Sequence, residues 1–170
     1  ELFHSGVSVQ LPLHEMCESL SVIVGEWRGS GSGHYPTIED FEYTEEVIFG
    51  HSGKPFLTYG QKTKNAKNGD PLHSEQGFVR VTGDATLELV LAQPSGIVEI
   101  HQGSFAVNAS ACVINLESIH VGTSPTAKPV NRVHRLLRVD GDTLTYDVAM
   151  AAMGEPMQHH LAATLERKQK

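Results

Sequence analysis

Two adjacent histidines near the C-terminal end, His159 and His160, are the residues best placed to do chemistry. They open a strand-length run that follows a turn marked by Gly154 and Pro156. Side chains of a strand alternate between its faces, so the two imidazoles point in opposite directions and do not chelate one metal together. His159 shares a face with Met157, Leu161, Ala163 and Leu165, whereas His160 goes with Gln158, Ala162, Thr164 and Glu166. Hydrophobic alternation puts His159 inside with the leucines. The small residues around His160 leave room for a large flat ligand against its ring. Periodicity leaves both assignments open.

Other chemistries lack their residues. Cys17 and Cys112 stand alone, with neither a C-x-x-C pair nor zinc spacing, and read as reduced, buried thiols. Gly25-x-Trp27-x-Gly29-x-Gly31 has neither the spacing of a dinucleotide fingerprint nor the G-K-[ST] of a P-loop. It reads as a strand whose glycines admit a close neighbour, with Trp27, the one tryptophan, in the core at one end. No paired-carboxylate or Ser/His/Asp pattern is evident. The net charge of −7 disfavours nucleic acid and anionic membranes as partners. No apolar run approaches the roughly 18 residues that span a bilayer.

The elements that must position these residues are almost all strands. Residues 1–12 have no period and are expected to be a flexible leader, with residues 13–170 forming one domain. The first residue is not Met, which allows for a further segment ahead of it. Leu13, Met16, Cys17 and Leu20 fall at i, i+3, i+4 and i+7, a short amphipathic helix that Gly25 stops. Strand-like segments then follow at 27–35, 41–49, 56–64, 72–81, 86–92, 97–105, 111–119, 130–139, 143–153 and 157–167, mostly joined by tight turns. Lys62, Lys64, Lys67 and the acidic group from Glu39 to Glu46 read as solvated faces. Consecutive hairpins predict an all-β fold: a ten-stranded antiparallel up-and-down β-barrel with a short N-terminal helix, wide enough to hold a ligand.

In order along the chain, Gly25-x-Trp27-x-Gly29-x-Gly31, Tyr35-Pro36-Thr37, Gly53-Lys-Pro55, Pro71-Leu-His73, Pro94-Ser-Gly96, Thr126-Ala-Lys128 and Gln158-x-His160-Leu161 together resemble the nitrobindins, haem-binding barrels in the style of fatty-acid-binding proteins. The resemblance implies one haem b per chain, ferric, held in the barrel mouth by the histidine directly before the leucine of the last strand. That histidine is His160, and its inward position then requires either that Leu161 and Leu165 pack outside or that a bulge shifts the strand's phase. It also implies that Thr37 contacts haem, that His73 lies near the open face, that Leu72 and Met150 line the apolar walls, and that Lys128 pairs with a propionate. Without a C-x-x-C-H the haem is non-covalent. The implied activity is binding of nitric oxide and isomerisation of peroxynitrite to nitrate. The implied partners are those small molecules, and the expected location is the cytoplasm, with the nucleus as a second option. Monomer and homodimer both stay open. Two rivals remain: a non-enzymatic nitric-oxide store or sensor, and a carrier of apolar ligands such as fatty acids, in which Arg132, Arg135 or Arg138 would hold a carboxylate.

Overall fold

The computed structural model describes residues 11–169, so most of the expected leader lies outside the described residues. Ten strands follow one another: β1 (Gly25–Tyr35), β2 (Ile38–His51), β3 (Phe56–Asn65), β4 (Pro71–Val81), β5 (Thr86–Gln93), β6 (Ile97–Asn108), β7 (Ala111–Thr123), β8 (Val130–Asp140), β9 (Thr143–Ala152) and β10 (Gln158–Arg167). Each pairs antiparallel with the next, and β1 also pairs with β10, from Trp27 opposite Arg167 to Gly33 opposite Leu161. The sheet is a closed barrel without a free edge. The meander read from the turn signals is the observed topology.

Alternation sets which side chains fill the barrel. Leu87, Leu89 and Leu91 of β5 point inward, as do Leu144, Tyr146 and Val148 of β9. In β1 the inward positions after Trp27 are Gly29, Gly31 and Gly33. A Cβ at Gly29 would collide with the Thr164 carbonyl of β10; at Gly31 and Gly33 it would meet the rings of Tyr43 and Phe41. The glycine-rich stretch is the wall that leaves space for two aromatic rings inside the barrel.

The N-terminal helix departs from its expected form. Glu15–Ile23 is a 3₁₀ helix, and its buried residues are Cys17, Leu20 and Ile23, spaced by three. Met16, expected on the apolar face, is exposed. The helix stops the barrel end that carries the β2–β3 turn, where Cys17 Sγ lies 4.0 Å from the Lys54 carbonyl. Trp27, fully buried there, donates from its indole nitrogen to the Ile23 carbonyl at 2.9 Å. The Arg167 guanidinium covers the Trp27 ring at 4.1 Å and donates to the carbonyls of Val22 and Val24. One end is thus closed, and a site has to open at the other.

Candidate functional site

A cavity of about 780 Å³ opens at the end bearing the β1–β2, β7–β8 and β9–β10 connections. The decisive local feature is in β10. Gln158 pairs with Met150 and His159 with Ala149, but Leu161 pairs with Val148, so His160 is an extra residue in a β-bulge. The bulge resets the phase, and His160 and Leu161 both line the cavity. Below them Ala163 and Leu165 continue inward. Of the two ways anticipated for His160 to face in, the strand uses the bulge. His159 goes outward: its ring stacks on His34 at 5.0 Å, and Nε2 is 3.1 Å from Asp147 Oδ1.

The hydrogen bonds of His160 settle its tautomer. Nδ1 lies 2.9 Å from the His34 carbonyl, which can only accept, so Nδ1 carries the proton and Nε2 keeps its lone pair. Burial lowers the imidazole pKa against the opposing pull of that bond, which keeps the ring neutral. Tyr35 meets the ring edge-on at 5.3 Å, and Phe41 lies at 6.5 Å. The Tyr35 hydroxyl accepts from Ala152 N–H at 2.9 Å and sits 3.2 Å from the Met150 carbonyl, which fixes the end of β9 beside the histidine.

Every other expected site residue reaches this cavity. Thr37 and Lys128 stand exposed at the rim, Leu72 is a largely exposed rim residue, and Met150 and Val130 form half-buried wall. His73 is half-buried on β4, across the lumen from β10, with Nε2 3.4 Å from Glu75 Oε2. Among the described residues no three His, Cys, Asp or Glu side chains group to hold a bare ion. The neutral imidazole of His160, a roomy and largely apolar mouth and Lys128 at the rim would suit a metal carried in a flat macrocycle better than a bare ion.

Beneath the mouth lies a polar layer that the sequence reading missed. One cluster centres on Glu45, which is buried rather than part of a solvated acidic face. Tyr146 donates to its Oε2 at 2.7 Å and Gln61 to its Oε1 at 2.8 Å. The Tyr43 hydroxyl lies 2.7 Å from that of Tyr146, whose proton is engaged, so Tyr43 is the donor. Burial pushes the Glu45 carboxyl up to about 7, although the bonds from Tyr146 and Gln61 oppose it. The second cluster centres on Arg135, whose nitrogens reach Glu75 at 2.7 and 3.1 Å and Glu99 at 2.8 Å. Tyr59 donates to Glu75 at 2.7 Å, and His101 lies 2.7 Å from Glu99. Burial works against the charge of Glu75, yet the Arg135 guanidinium and the bonds from His73 and Arg135 hold its pKa far below the usual carboxylate range. The signal was in the parity. Glu45 lies between Tyr43 and Val47, Arg135 between Val133 and Leu137, and Glu99 between Ile97 and His101, each on the inward face of its strand.

A closed ten-stranded barrel with a histidine turned into its mouth by a bulge fits a cofactor-holding barrel, and the comparisons agree. The sequence profile of the THAP4-like, heme-binding beta-barrel domain matches residues 16–167, and the chain belongs to that family. It is 51% identical over 156 residues to "Peroxynitrite isomerase 2" of Mycobacterium avium (strain 104), covering 92% of this chain and 97% of that one. "Peroxynitrite isomerase" of Nocardia farcinica (strain IFM 10152) is 48% identical over 155 residues, 91% of this chain and 92% of its own. Among solved structures, that of Rv2717c from M. tuberculosis superposes with a TM-score of 0.91 at 47% identity, covering 93% of this chain and 100% of that one.

Proposed function

We propose that this protein binds one ferric haem b per chain through His160 and isomerises peroxynitrite to nitrate, with nitric oxide as a second ligand. The observation that carries the reading is the bulge, which turns His160 into the cavity with Nδ1 tied to a carbonyl and Nε2 free. Membership of a haem-binding family and close relatives named peroxynitrite isomerase support it. When bound, the haem would supply the iron chemistry that converts peroxynitrite to nitrate.

The chain's own residues hold and enclose that centre. The His34 carbonyl orients the His160 ring and makes Nε2 a stronger donor. Leu72, Val130 and Met150 line the mouth and would pack against the macrocycle, their apolar surface keeping water from it. Lys128 and Thr37 stand exposed at the rim, where they would meet the haem propionates. His73 lines the opposite side of the lumen, with Nε2 turned toward Glu75. The carrier alternative loses support from Arg135, whose two terminal nitrogens are already bound to Glu75 and Glu99. Residues 13–170 act as one unit, and the cytoplasm is the proposed location; no described helix is long and apolar enough to cross a membrane.

The test uses ferric holo-protein, apo-protein and two variants. Holo-protein is expected to speed peroxynitrite loss, raise the nitrate fraction and protect a bystander tyrosine from nitration, and cyanide is expected to suppress all three. His160→Ala should lose more than about 100-fold in haem affinity, beyond the loss typical of outer-shell partners. His159→Ala should keep its Soret band. Equal decay with holo- and apo-protein would leave the nitric-oxide store as the better reading.

A further inference from the structure

All four tyrosines of the chain, Tyr35, Tyr43, Tyr59 and Tyr146, line the cavity. They differ in what stands ready to take the phenol proton. Tyr35 faces the backbone carbonyls of Met150 and Ala152, which are not bases. Tyr59 faces Glu75, and a proton there would disrupt the two-pronged pair with Arg135. Tyr146 faces Glu45 at 2.7 Å, a carboxylate with no ion-pair partner among the described residues. Its oxygen also accepts from Tyr43 at 2.7 Å, a bond that supports the oxygen once its own proton has left. A short ring path joins this pair to the mouth: His160 to Phe41 is 6.5 Å between centroids, and Phe41 to Tyr43 is 5.9 Å.

A phenol gives up an electron readily only if its proton leaves in the same step, because the phenol cation radical is a very strong acid. The Tyr146–Glu45 pair meets that condition inside a cavity that accommodates an oxidisable haem. We propose that Tyr146 is a redox-active residue that returns one electron to the haem after a peroxide has oxidised it, its phenol proton passing to Glu45. The proposal rests on the haem reading above. With hydrogen peroxide the O–O bond breaks, one oxygen leaves as water with both peroxide protons, and the other stays with the haem, now two electrons short. Tyr146 then supplies one electron, its O–H bond breaks, and a new O–H bond forms on Glu45 Oε2. The products are a neutral tyrosyl radical, a Glu45 carboxylic acid and a haem one electron short. The protein thereby gains a one-electron discharge path for peroxides, peroxynitrite among them, when an oxidising equivalent is stranded at the iron. That carboxyl is already poised near neutral pH by burial, which makes it a competent acceptor.

The experiment mixes ferric holo-protein with hydrogen peroxide, freeze-quenches it and reads the electron paramagnetic resonance spectrum, with the Soret band recorded on the same samples. Wild type and Tyr59→Phe should both give a tyrosyl signal, and Tyr146→Phe should lose it. Glu45→Gln should form the radical about 100-fold more slowly, the low end of what a positioned proton acceptor contributes. Spin-trapping followed by peptide mass spectrometry on the wild type, which needs no variant, should place the adduct on Tyr146. An undiminished radical in Tyr146→Phe, an adduct on Tyr35 or Tyr59, or no radical while peroxide shifts the Soret band would each overturn the proposal. Absence of any Soret band in loaded wild type would instead sink the haem reading, and the role of Tyr146 with it.

Discussion

The lumen holds two buried carboxylate clusters built from similar parts and brought to opposite states. Around Glu75 and Glu99, Arg135 lies within hydrogen-bonding distance of both acids, and their charge is kept. Around Glu45 the partners are a phenol and an amide, and burial raises the carboxyl to about 7. Depth alone does not decide the protonation state of a buried acid. The presence of a cation does, because neutral hydrogen bonds compensate only part of the desolvation of a carboxylate. The first cluster is a fixed strut across the barrel from β8 to β4 and β6, and the second is a group that can change its proton count.

Removing the cation is the strongest way to break this contrast. Arg135→Met should destabilise the apo-protein by about 3–5 kcal/mol at pH 7, because two buried carboxylates are left without a counter-charge. In the wild type the Glu75 contribution is complete above the ordinary carboxylate range and fades as pH falls through its depressed folded value. In the variant both acids bind protons more tightly when folded, so urea unfolding should show stability rising from pH 8 to pH 5.

Glu45→Gln sharpens the contrast from the other side. The folded pKa of Glu45 lies above its unfolded value, so its contribution is complete below about 4.5 and is lost as pH rises to about 7. The neutral amide should therefore stabilise the barrel by about 2–3 kcal/mol at pH 8 and by almost nothing at pH 4.5. Gln61 has a buried Oε1 without a partner, and turning its amide over offers an acceptor to the new Gln side chain. Denaturant titrations at the two pH values check this, and equal effects at both would refute it.

The smallest effect separates the two tyrosines. Tyr59→Phe and Tyr146→Phe each remove one hydrogen bond to a carboxylate, worth about 1–2 kcal/mol. Glu75 keeps both Arg135 bonds, whereas Glu45 keeps only the one from Gln61. At pH 8, Tyr146→Phe should be the more costly change and should steepen the pH dependence of unfolding.

The legible and illegible parts of the sequence divide along the same line. The tight turns between short strand-like segments gave ten strands and their order, since turn chemistry and period two are local properties. Met150 could be put on the face of Leu144, Tyr146 and Val148 for the same reason, and it lines the cavity beside them. The helix was found but its type was not, because Cys17 and Leu20 fit both a 3.6-residue and a three-residue spacing until the buried Ile23 decides. Glu45, Glu75 and Glu99 were illegible for a different reason, and Arg135 was only one of three candidate lumen arginines. Charged residues at inward positions look like register errors until their partners on β2, β4, β6 and β8 are known, and pairing across a lumen leaves no trace in local sequence. His160 fell between the two. Alternation argued for its neighbour and the family resemblance for His160, and a bulge, which adds a residue without changing composition, is what turns the ring inward.

That bulge makes strand length, rather than residue identity, the carrier of information at the mouth. Deleting His160 would let His159 and Leu161 follow each other in regular pairing, opposite Ala149 and Val148, with the remaining histidine outside. Deleting His159 would give the same result, because His160 would move into the vacated outward position. Two neighbouring histidines therefore provide no redundancy: after either single-residue deletion one imidazole of the pair survives and it faces away from the cavity. A substitution at position 159 leaves the count intact and the inward residue in place. Point changes and one-residue gaps, usually ranked together as small lesions, are different events in this strand.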